Sequence, residues 1–178
     1  MDFEQVLKTR RSVRKYIERP VEKEKIKSII EAGLKAPSAH NRQPWEFVVL
    51  SSKKDKVADF MYEFFNNDSE KNDSTISRTA DVIKNADKLI LIYNTSKVNR
   101  DHDLLSIGGM IENMLLEATY LGISSLWIAN CLVVKEEINK FLNIEDKELV
   151  SAVSLGYSLI EPKDLPRKTF DEAVIYEE

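Results

Sequence analysis

Residues 103–121 constrain the fold more than any other part of the chain. Leu104, Leu105, Ile107, Met110, Ile111, Met114, Leu115, Leu116, Ala118 and Leu121 would cover most of the circumference of a helix. A helix that is apolar nearly all round must be buried nearly all round. A chain of 178 residues has room for one sizeable core. Two arrangements satisfy this: a central core helix in a monomer, or a helix whose second face is covered by another subunit. Gly108 and Gly109 each cost about 1 kcal/mol of helix propensity relative to Ala. That cost is easiest to rationalise where a second backbone or a flat ligand comes close. Gly122 is expected just past the helix end, in the left-handed conformation that closes many helices.

Around this helix the pattern alternates. Residues 2–9 read as a short helix with Phe3, Val6 and Leu7 on one face, and 22–36 as an amphipathic helix with Ile26, Ile29, Ile30 and Leu34 inward. Pro37 is expected to stop it. Phe47 to Leu50, Leu89 to Tyr93, Ser125 to Ala129 and Val150 to Tyr157 read as strands, the second buried on both faces. Residues 53–65 and 135–142 read as helices, and the polar run 66–77 as a mobile surface loop. The final Ala173-Val174-Ile175-Tyr176 is β-prone. Helices alternating with short strands predict a mixed α/β or α+β sheet in one domain over 1–178.

Composition removes several function classes. The net charge of −4 offers nothing in bulk to nucleic acid or an anionic membrane, so any anion site must be local. No apolar run approaches the roughly 20 residues of a membrane helix, and the charged opening residues are not expected to act as a secretory signal. One cysteine, Cys131, forms no internal disulfide, and a reducing cytoplasm is the expected compartment. His40 and His102 have no metal-ligand spacing with Cys131, so no metal is expected. Dinucleotide and P-loop glycine patterns are absent, and so is a nucleophile elbow. Cys131 reads as a buried small residue. The chain shows no reactive group of its own, which a borrowed cofactor would explain.

Three short constellations could hold one. Arg10, Arg11, Ser12 and Arg14 place forked donors suited to phosphate within five residues, although a basic run alone is more often a solvated face. Pro37-Ser38-Ala39-His40-Asn41-Arg42-Gln43-Pro44-Trp45 braces short polar side chains between two prolines. Asn41 and Gln43 there carry both donors and acceptors, as the edge of a flat heterocycle requires. The simpler alternative is a polar loop beside a core tryptophan. Near the end, Arg167 and Lys168 are two further cations.

In that order, R-R-S-V-R, P-S-A-H-N-R-Q-P-W, the apolar helix running into L-G-I-S-S-L-W-I, and L-G-Y followed by P-R-K resemble the nitroreductase family. The resemblance spans about residues 10 to 174, and the P-S-x-x-N-x-Q-P-W loop is its most specific part. It implies an α+β fold, a mostly antiparallel sheet flanked by helices, in an intertwined homodimer that exchanges C-terminal arms and holds FMN at its interface.

Carried over by position, Arg10, Arg11 and Ser12 would serve the phosphate and ribityl end, and Arg14 the pyrimidine edge. Pro37, Ser38, Ala39, Asn41 and Gln43 would come from the second subunit, with His40 lining the substrate pocket. Ile128, Ala129 and Asn130 would cover the reactive face, and Arg167 with Lys168 would anchor the phosphate. Asn130 stands where glycine is common in the family, and residues 66–79 match nothing in it. The implied reaction carries hydride from NADH or NADPH through flavin to a nitroaromatic, quinone or similar small acceptor, in ping-pong fashion. No side chain would be catalytic, and Arg14 would give electrostatic support. The alternatives are a flavin sensor or store without turnover, and reductive dehalogenation.

Overall fold

The computed structural model describes residues 1–67, 73–160 and 163–176. Its centre is the strand β2 (Lys88–Asn94), in which Leu89, Ile90, Leu91, Ile92 and Tyr93 are fully buried. An uninterrupted apolar strand needs cover on both faces. Leu89, Leu91 and Tyr93 point to one side and Ile90 and Ile92 to the other, and a separate core forms on each. β2 lies between β1 (Trp45–Leu50) and β4 (Glu148–Gly156), and β3 (Ser124–Ile128) closes the order β1-β2-β4-β3. All three pairings are antiparallel.

The first core is closed by α3 (Lys54–Asn67), α4 (Ser74–Asn85) and α6 (Lys135–Leu142), through Val57, Met61, Ile76, Ile83 and Ile138. The second is closed by α2 (Lys23–Gly33) and α5 (Arg100–Tyr120). The short α1 (Phe3–Thr9) packs on α5, burying Val6 while Phe3 and Leu7 stay exposed. Beyond it the chain runs beside β3, where the Val13 amide donates to the Ser125 carbonyl at 2.9 Å, and then the Ile17 amide donates to the Tyr157 carbonyl at 2.8 Å.

Two sequence expectations need correction. The polar stretch does not continue as a loop: Ser74–Asn85 is the helix α4, with Asp73 accepting from the Thr75 amide at 2.8 Å as its cap. Ile76, Ala80 and Ile83 supply its buried face, which polar neighbours obscure in the sequence; residues 68–72 lie outside the described residues. α2 ends at Gly33, four residues before Pro37, where a Cβ would sit 2.8 Å from the Met114 Cγ. The β-prone final run, expected as an arm onto a second subunit, pairs with no strand of its own chain among the described residues. A capping box on Thr169 and Glu172 starts α7 (Phe170–Ala173), and Ile175 and Tyr176 lie exposed beyond it.

The helix α5 is buried along one face, from Asp103 through Ile107, Met110, Ile111, Met114 and Ala118, while Leu105 is 77% exposed. A Cβ on Gly109 would meet nothing within 4 Å, and one on Gly108 only the Trp127 ring at 3.7 Å. No close approach among the described residues therefore explains the two glycines. Gly122 does take the expected left-handed turn, with φ +71°.

Because α4 is held by its buried stripe, Ile83→Ala should lower unfolding stability by about 2–5 kcal/mol. Denaturant titration checks this; a loss under about 1 kcal/mol would mean that α4 is not packed as described.

Candidate functional site

A cavity of about 770 Å³ opens at the C-terminal end of β3. Three pieces of chain meet there. β3 and the turn after it contribute Leu126, Trp127, Ile128, Ala129 and Asn130; the segment beside β3 contributes Arg14 and Lys15; α4 contributes Thr75, Arg78, Thr79, Val82 and Asn85. The floor is apolar and buried at Leu126, Ile128 and Val82, while Arg14, Lys15, Arg78, Ala129 and Asn130 are exposed. Geometry forces this composition. β3 is an edge strand, so the backbone at its end is free of a further strand, and the 12–17 segment that shields the edge brings its cations along.

Asn130 links two of the walls. Its side-chain amide donates to the Thr75 and Thr79 hydroxyls, both at 3.3 Å, so the strand end is tied to α4. Arg78 lies between those threonines in sequence, and its Nε donates to the Ser74 carbonyl at 3.0 Å. Cys131 is fully buried and burial pushes its thiol up to about 12, which removes it as a nucleophile at neutral pH.

Of the residues expected from sequence, Arg14, Ile128, Ala129 and Asn130 line this one cavity. The others lie elsewhere in the chain. Arg10 is paired with Glu112 at 3.1 Å, and Arg11 with Asp164 of the C-terminal segment. Ser12 forms a bridge with Ser125. Arg167 and Lys168 are exposed and make no ion pair among the described residues.

The loop containing Pro37, Ser38, Ala39, His40, Asn41 and Gln43 does not line the cavity. It is conformationally unusual: His40, Asn41 and Gln43 have φ of 54°, 52° and 48°. Left-handed conformations of residues other than glycine cost about 1 kcal/mol or more each and persist only where surroundings impose them. Here the Gln43 amide donates to the Ser38 hydroxyl at 2.9 Å, and Arg42 reaches Asp103 of α5 at 3.1 Å. Asp103 is 1% exposed. Burial pushes its carboxyl upward, but the Ser96 hydroxyl and the hydrogen bonds and charge of Arg42 outweigh that, and the net shift is downward.

A family model described as the nitroreductase family matches residues 7–157, a span that includes β3, α4 and every cavity-lining residue. The chain belongs to the nitroreductase family. A protein of Archaeoglobus fulgidus, provisionally named an NADH dehydrogenase/NAD(P)H nitroreductase, is 33% identical over 93% of this chain and 87% of its own length. A Desulfovibrio desulfuricans nitroreductase of provisional name, solved in complex with FMN, shares the fold with TM-score 0.83 at 22% identity, covering 100% of this chain and 98% of its own. A Clostridium acetobutylicum structure provisionally named an NADH oxidase matches with TM-score 0.77 at 27% identity, over 97% and 99% of the two chains. The sheet and its flanking helices are thus those of the nitroreductase fold.

Sequence reasoning missed Thr75, Arg78 and Thr79 because it missed α4. The signal was present: Asp73 before Ile76, Ala80 and Ile83 has cap and helical spacing. It also missed the Arg42–Asp103 pair, although a lone acid on the apolar side of α5 invites a buried partner.

A carboxyl with a depressed folded-state pKa adds stability above its unfolded-state pKa of about 4 and loses it as pH falls through the folded value. Asp103→Asn should therefore be less stable than the parent at pH 7, with the gap closing as pH falls below about 4 and through the depressed folded-state value. Denaturation midpoints across that range check it; a gap independent of pH would mean that the Asp103 charge plays no part.

Proposed function

We propose that this nitroreductase-family chain is an FMN-dependent oxidoreductase that passes reducing equivalents from NADH or NADPH to a nitroaromatic, quinone or similar small acceptor. The observation that carries the reading is the cavity at the end of β3, where the Arg14 guanidinium and the 128–130 strand end border an apolar floor. That donor set fits a flat heterocycle that becomes anionic on reduction: apolar surface for its faces, backbone for its edge, and a cation near the developing charge. Names of relatives support the same activity: the 33% identical archaeal protein carries both NADH and NAD(P)H in its name.

When bound, FMN supplies the hydride chemistry, accepting from the nicotinamide and donating to the acceptor by turns. The chain's residues bind and orient. Arg14 favours the reduced form by its charge, and Ile128, Ala129 and Asn130 border the ring. Arg10, Arg11 and Ser12, with Arg167 and Lys168, serve the ribityl phosphate. Arg10 and Arg11 are held by Glu112 and Asp164 in this chain, so binding exchanges carboxylate for phosphate. The 37–43 loop, with His40 toward the acceptor, reaches the cavity from a second copy. A homodimer is supported by exposed apolar side chains that one chain leaves uncovered: Leu105 on α5, and Ile175 and Tyr176 in the C-terminal segment. The whole of 1–178 acts as one domain, suited to a reducing cytoplasm.

Purified protein should be yellow, release FMN rather than FAD on heating, and bleach anaerobically with NADH or NADPH. FAD, or no flavin after reconstitution, contradicts the reading; flavin that neither nicotinamide bleaches identifies a sensor or store. Arg10→Ala should weaken FMN binding by roughly 30-fold or more, the effect of leaving a phosphate without its partner, while Lys163→Ala leaves it unchanged. Truncation after Leu165 should lower dimer stability and FMN occupancy together, since the flavin would bind the assembled state. Sedimentation with flavin absorbance checks this; a full-strength dimer that keeps its flavin would refute the exchanged arm.

A further inference from the structure

Ion pairing sorts the cations around the cavity into two groups. Arg10 and Arg11 each hold a carboxylate. Arg14, Lys15 and Arg78 line the cavity, and none makes an ion pair among the described residues. Asp81, the acid in the lining, is bound by the Tyr62 hydroxyl at 2.5 Å and accepts from no lining cation. In a chain of net charge −4, three cations around one opening, none in an ion pair among the described residues although the Arg78 charge helps to lower the Asp73 carboxyl's pKa, mark a place built for an anion.

Arg14 is already assigned to the cofactor. Arg78 is set apart from it, on α4 rather than on the 12–17 segment, and its position is fixed twice. Asn130 ties Thr75 and Thr79, three residues before it and one after, to the strand end. Ser74 fixes the guanidinium itself, its carbonyl accepting from Nε at 3.0 Å and its hydroxyl from Nη2. A guanidinium held by its own helix and left exposed toward a cavity loses less freedom on binding than a mobile lysine.

We propose that Arg78 makes the open side of this cavity a subsite for an anionic group on the electron acceptor, and so selects carboxylate-bearing acceptors over neutral ones of the same shape. The proposal rests on the oxidoreductase reading given above. The same cation chemistry would suit the extra phosphate of NADPH, and the test separates the two sources. A guanidinium–carboxylate contact of this kind is worth about tenfold in affinity or more.

The test compares 4-nitrobenzoate with 4-nitrobenzyl alcohol as acceptors for the flavin-loaded protein. Alongside turnover, binding of the unreactive benzoate and benzyl alcohol is followed by perturbation of the flavin absorbance and by calorimetry. Wild-type protein should favour the carboxylate at least tenfold in kcat/KM and in binding. Arg78→Gln should bring both ratios near one while FMN affinity and turnover of the alcohol stay unchanged, and Arg78→Lys should recover part of the preference. Three outcomes overturn the proposal: equal ratios in wild type and Arg78→Gln; a matching loss of FMN affinity, which would assign Arg78 to the cofactor; and a changed NADPH-to-NADH ratio with the carboxylate preference intact, which would assign it to the dinucleotide phosphate. Failure of the oxidoreductase reading looks different. Neither acceptor would then be reduced, while the calorimetric benzoate arm still reports on Arg78.

Discussion

The pairing of β2 with β4 is the constraint on which the rest of the molecule depends. Leu89 to Tyr93 on one strand and Ala152 to Leu155 on the other are fully buried. Backbone polar groups at that depth have no water and must be satisfied by the sheet itself. Both faces must also be roofed, which fixes α2 and α5 on one side and α3, α4 and α6 on the other. With the centre sealed, exposed backbone and charge can gather only at the margins of the sheet. At the β3 margin the 12–17 segment covers the edge through the Val13 amide, which donates to Ser125, while the Ile17 amide bonds Tyr157 just past β4. The cavity lies where that cover gives way to α4.

Charge is distributed by the same logic. The surface is net acidic, and carboxylates from other parts of the chain hold Arg10 and Arg11. Arg42, in a strained loop, is anchored to a carboxylate buried in α5. The Arg42–Asp103 contact therefore ties the 38–43 conformation to the helix that organises the second core. A loop with three left-handed residues outside glycine is the kind of element a rigid scaffold presents to a ligand.

Much of the fold was legible in the sequence because it depends on long apolar patterns. β2, the inner face of α5, the left-handed Gly122 and the buried Cys131 all follow from periodicity and composition. What periodicity could not show was α4, whose few buried residues sit among Ser, Thr, Asp and Lys, and the helical turn at Phe170, which a local capping box sets. The lining of the cavity was legible in part. Arg14 and the 128–130 strand end were found because their motif order is distinctive. Arg78 was not, because its helix is brought to the strand end by a tertiary contact between Asn130 and two threonines about 50 residues away. Arg10 and Arg11 show the converse: their residue type suggests phosphate, yet their partners in the folded chain are carboxylates that no local pattern announces.

The central claim is that the flavin occupies the end of β3, between the 12–17 segment and α4. Amide hydrogen exchange with and without FMN tests it most directly, because it locates the ligand without needing turnover. Saturating FMN should slow exchange in residues 10–16, in the N-terminal half of α4 and at 126–131, and, if a second copy lends its loop, at 38–43. Protection confined to other segments, such as the surface between α1 and α2, or no protection at all, would contradict it.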